Sequence, residues 1–137
     1  MMNSKKIREA KYFELGRQAE RDGLLKEAVK QYLLLLKNKP AHIDANNRLM
    51  MAYRKLHEYS KEIELIKKAV NALEQETERQ QQRYIDEHPE KASDTRALAM
   101  SLGLLGKKGL PLIENEVVAR WQKRLQIVQK KLERIKH

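Results

Sequence analysis

The chain has no cysteine. That excludes a disulfide framework, a thiolate metal site and a cysteine nucleophile. Breakers are scarce, with three prolines and five glycines in 137 residues, and aromatics make up 5%. So few turn residues argue for long helices rather than a turn-rich β architecture. No apolar run approaches the length that spans a bilayer. The first eleven residues are polar and basic and lack the apolar core of a secretory leader. A cytoplasmic protein is the expectation. There is no Gly-x-Ser-x-Gly elbow, and His42, His57, His88 and His137 stand apart without metal spacing. No cofactor or metal is implied, and catalysis is not expected. Gly106-Lys107-Lys108-Gly109 follows a helical stretch and lacks the hydroxyl of a phosphate loop, so it reads as a helix end and turn.

Charge is what the chain has in quantity. Charged residues make up 35%, and 29 basic against 19 acidic residues give a net charge of +10. Such a surface favours acidic partners: a protein, a nucleic acid or an anionic lipid. Residues 74–90 run the other way, with six acidic and two basic side chains. They read as a solvated helical arm. The alternative is a docking surface for a basic partner, such as the C-terminal helix of another copy.

The stretch that organises the chain is Tyr12-x-x-Leu15-Gly16-x-x-Ala19, then Ala28-x-x-x-Tyr32, then Pro40. Gly16 and Ala28 let two helix backbones approach. Tyr12, Leu15, Tyr32 and Leu35 are the expected bulk around them. Gly23 sits where the turn falls, and Pro40 closes the unit. A second copy from Ile43 keeps Ala45, Leu49, Ala52, Tyr53, Tyr59, Ile63, Ala69 and Val70 in register. It departs at Met50, Glu62 and Glu74. This spacing resembles the tetratricopeptide repeat, a 34-residue helix–turn–helix unit.

The resemblance covers residues 9–42 and 43–76, about half the chain. It implies an all-α, right-handed stack of helical hairpins that binds other proteins on a concave face. The departures at Met50 and Glu62 imply looser packing in the second hairpin. Residues 77–137 form a helical extension and a C-terminal capping hairpin in one 1–137 domain. About six helices are expected, at 7–22, 25–37, 43–57, 60–85, 94–105 and 111–135. The fourth and the last are long. Ser60 is the expected N-cap of the fourth. The run Leu33-Leu34-Leu35-Leu36 is apolar nearly all round, which predicts cover from a neighbouring element. In the last helix Val118, Trp121, Leu125, Val128, Leu132 and Ile135 form a heptad seam. It is expected to pack within the chain or to pair two copies as a homodimer through residues 118–135. Trp121 is expected in the core.

By the resemblance, the first helix of each hairpin lines the groove. That places Phe13, Arg17, Glu20 and Arg21, then Asn47, Arg48, Met51, Arg54 and Lys55, on the binding side. Arginine forks grip carboxylates, and Asn can hold a peptide backbone. Phe13 and Met51 offer apolar anchors. The Lys and Asn clamp that some members use for acidic chaperone tails is missing. The function implied is a protein–protein interaction adaptor or scaffold for an acidic or mixed segment. Two alternatives stand: nucleic-acid binding by Arg120, Lys123, Arg124 and Lys131 on the C-terminal helix, or self-association through the seam around Trp121.

Overall fold

The computed structural model describes residues 4–89 and 115–136. Among these the chain is all-helical: α1 Ser4–Arg21, α2 Leu25–Asn38, α3 Ile43–Lys55, α4 Tyr59–Glu87 and α5 Asn115–Lys136. The expected helix at 94–105 and the glycine-rich turn after it lie outside the described residues.

The α1–α2 and α3–α4 turns repeat each other's hydrogen bonds at an offset of 34 residues. In the first, the Gly23 N–H donates to the Glu20 carbonyl and the Leu24 N–H to the Ala19 carbonyl. In the second, the His57 N–H donates to Arg54 and the Glu58 N–H to Tyr53. This pair of bonds closes a helix when the residue after its cap turns left-handed. Gly23 does so with φ +74°, where glycine has no side chain to clash. His57 takes the same place with φ 58°.

The register corrects one cap. Because Glu58 holds the N-cap position and α4 starts at Tyr59, Ser60 lies inside the helix and is not its cap. α3 starts on His42, whose Nδ1 accepts from the Ala45 N–H at 3.1 Å. The buried Asn46 then ties the α2–α3 connection, donating to the carbonyls of Pro40 at 2.9 Å and His42 at 2.8 Å. α4 has 29 residues and is about 43 Å long at 1.5 Å per residue.

Helix periodicity puts the apolar stripes together in two adjoining clusters. The first joins α1, α2 and α3 through Ala19, Ala28, Tyr32, Leu35, Leu36, Ala45, Leu49 and Tyr53. Gly16 faces the Tyr32 ring so closely that a Cβ there would lie 2.5 Å from Tyr32 Cε1. The second joins α3, α4 and α5 through Met50, Ile66, Ala69, Leu73, Val118, Trp121 and Val128. Full burial of a side chain such as Val128 contributes about 2 kcal/mol.

α5 runs antiparallel to α4. Its Trp121 reaches Asn47 on α3, Arg124 reaches Glu62 near the start of α4, and the Lys131 ammonium lies 5.6 Å from the Tyr59 ring centre. The expected seam is therefore used within the chain, with Val118, Trp121 and Val128 buried and Ile135 exposed.

Three packing expectations change. Leu15 is 42% exposed, whereas Leu49, 34 residues later, is fully buried. Leu49 lies in the cluster that α2 shares with α3, and α1 has no earlier helix to cover it among the described residues. Leu33 and Leu34 remain exposed on the outer face of α2. The second hairpin is not loose, since Met50 is buried and Glu62 has no exposed surface.

Candidate functional site

The nine side chains placed on the binding side all lie on α1 and α3, which both pack against α2 and meet through a Glu20–Arg48 pair at 3.7 Å. Their surroundings divide them into three groups.

Asn47 and Arg54 are engaged inside the chain. Trp121 Nε1 donates to Asn47 Oδ1 at 2.7 Å. Arg54 Nη2 donates to Glu62 Oε2 at 3.2 Å, and its Nε is buried without a partner. Arg124 completes the cluster from α5, with Nε on Oε2 at 3.0 Å and Nη2 on Oε1 at 3.3 Å. A buried carboxylate persists only when paired and hydrogen-bonded on both oxygens, and this fork supplies both. Two guanidiniums on one carboxylate leave one unit of positive charge at this junction.

Phe13, Glu20 and Arg48 are half-buried. The Phe13 ring packs beside Tyr32 at 5.9 Å and His42 at 5.7 Å between centres. Arg48 is held by Glu20. Beneath them the Tyr32 hydroxyl is buried without a hydrogen-bond partner. Burial first, and then the Glu20 carboxylate, push its pKa above the ordinary phenol value. Tyr53 is raised in the same direction by burial and by Glu58. His42 is lowered, by burial first and then by Lys39.

Arg17, Arg21, Met51 and Lys55 remain within reach of solvent. Arg21 bonds Glu14 at 2.9 Å on its own helix, a surface pair of small energy that a ligand can displace. Arg17 and Lys55 make no ion pair among the described residues, and Met51 is 39% exposed. This group offers cations around one adaptable apolar side chain.

Sequence reasoning missed Glu62 and Arg124 as partners. The signal was present, because Glu62 occupies a slot where the resemblance asks for alanine. A carboxylate in an enclosed slot requires cations, and Arg54 and Arg124 lay unassigned to that purpose. Among the described residues no group of His, Asp and Glu is arranged to hold a metal, and no helix is long and apolar enough to cross a membrane. No family model, curated protein or solved structure matches this chain.

Proposed function

We propose that this chain is a cytoplasmic protein-interaction adaptor of the tetratricopeptide type, a binding module rather than an enzyme. It takes an acidic or mixed segment along the α1–α3 face. The observation that carries the reading is the 34-residue recurrence of both turn and helix boundaries. α1 and α3 end at Arg21 and Lys55, and α2 and α4 begin at Leu25 and Tyr59. In a stack built on that period, the first helix of each hairpin faces the ligand. Arg17, Arg21 and Lys55 supply steering and carboxylate contacts, and Met51 supplies the apolar anchor. Asn47 and Arg54 have structural partners in α5 and Glu62, so the ligand-binding set is smaller than spacing implies. The full chain, immobilised, is tested on native extract and on a panel of acidic peptides that each carry one apolar residue. Arg17→Glu with Lys55→Glu is expected to weaken capture by about tenfold or more while helicity is unchanged. Equal capture by the folded variant removes this face from the proposal.

A further inference from the structure

The outward side of α5 is predominantly basic, and its row of cations makes no ion pair among the described residues. Arg120, Lys123, Ile127, Lys130 and Arg134 recur at steps of three and four, so they form one line down the helix. All five are exposed. They lie opposite Val118, Trp121 and Val128, which hold the helix to the body. Elsewhere Arg21, Arg48, Arg54, Lys61 and Arg79 each have a carboxylate within 4 Å. Arg17, Lys55 and the α2 lysines Lys26, Lys30 and Lys37 are, among the described residues, unpaired like the four cations of the α5 row. Glu116, one turn before Arg120, is the only carboxylate in line with the row. Arg124 and Lys131, basic residues of the same helix, lie at its edge, with Arg124 holding Glu62 and Lys131 resting over the Tyr59 ring.

We propose that this row binds the phosphodiester backbone of duplex nucleic acid without reading its sequence. From Arg120 to Arg134 the row is about 21 Å long, the axial length of about six phosphates on one strand. A polar face that merely ends a stack needs no single sign of charge. The exposed faces of α1 and α4 mix signs, and the one-sign row of α2, Lys26, Lys30 and Lys37, is one cation shorter and is the comparison surface in the test below. A membrane-surface helix needs a continuous apolar face, but that of α5 is buried and Ile127 stands alone in the row. The row has no aromatic side chain on which single-stranded bases could stack, which favours a duplex. The proposal is independent of the adaptor reading, because the row shares no residue with the α1–α3 face.

The test is anisotropy of the full chain with a labelled mixed-sequence duplex of about 20 base pairs, between about 50 and 200 mM salt. Log affinity should fall with log salt with a slope of about −3 to −4, for about four phosphate contacts. Joint substitution Arg120→Gln, Lys123→Gln, Lys130→Gln and Arg134→Gln should weaken binding by more than about a hundredfold at the lowest salt. A control removes as many charges elsewhere, by Lys26→Gln, Lys30→Gln, Lys37→Gln and Lys68→Gln, and should retain most of the affinity. Trp121 emission reports that α5 stays docked in each variant. If the joint variant loses that docking, Lys123→Gln and Lys130→Gln are read singly, each expected to flatten the slope by about 1. Equal loss in the control, no binding at low salt, or tighter binding to polyglutamate or phosphatidylserine vesicles than to the duplex overturns the proposal.

Discussion

The first hairpin closes on a glycine laid against a tyrosine ring, and the second on a carboxylate held between two arginines. Their backbones share one register, so the contrast lies in the side chains. Gly16 and Tyr32 correspond to Met50 and Ile66, where the larger residue has changed helices and the pair still fills the space. Ala28 corresponds to Glu62, and both have no exposed surface. Ala28 needs nothing from outside its hairpin. Glu62 needs charge, and only Arg54 lies within its own hairpin. The second hairpin is therefore completed by Arg124 of α5, which makes the C-terminal helix part of that hairpin's core chemistry.

The largest effect should come from breaking this dependence. Arg124→Met leaves Glu62 buried with one partner and should destabilise the fold by about 3 kcal/mol, the low end for breaking a buried ion pair. Denaturant unfolding measures it, and adding Glu62→Ala should recover part of the loss. If Arg124→Met is nearly neutral, the two hairpins do not differ as described. Next comes Gly16→Ala, whose Cβ would meet the Tyr32 ring, at a cost of about 1–3 kcal/mol. Tyr32→Leu in the same chain should relieve it, and Met50→Ala, at the corresponding place, should act instead by leaving a cavity.

The smallest effect separates the hairpins by pH. His42 caps α3 through an unprotonated Nδ1, and its pKa is lowered by burial and by Lys39, against the opposing pull of Asp44 and Glu9. The neutral form is therefore the one the fold prefers. Its stabilisation is complete above the ordinary histidine value of about 6.5 and is lost as pH falls through the lower folded value. Hydrogen exchange at the Ala45 amide should quicken over that range more than exchange within α2. Equal change in both helices would assign the effect to general acid expansion.

Local chemistry carried most of the backbone into the sequence. Gly23 marks the first turn and with it the α2 start, while the second turn, on His57, carries no such glycine. The errors arose where a neighbour decides. Leu15 has the same helical phase as Leu49, but only Leu49 has a helix on that side. Ser60 is a good cap by type, but the left-handed turn at His57 moved the helix start one residue ahead of it. For the proposed binding face, the resemblance put all nine side chains on the first helix of each hairpin, and they lie on α1 and α3. It could not reveal that Asn47 is taken by Trp121, 74 residues away, because partners across a fold leave no local pattern.

The exposed Leu15 has a practical consequence for anyone wishing to lengthen this protein. It stands where Leu49 receives α2, so a hairpin grafted ahead of α1 in the same register would have a seat prepared for it. The opposite edge, among the described residues, is covered by α5. Growth by design is therefore directional, and a Leu15→Glu substitution should make that edge inert at little expense to the parent fold.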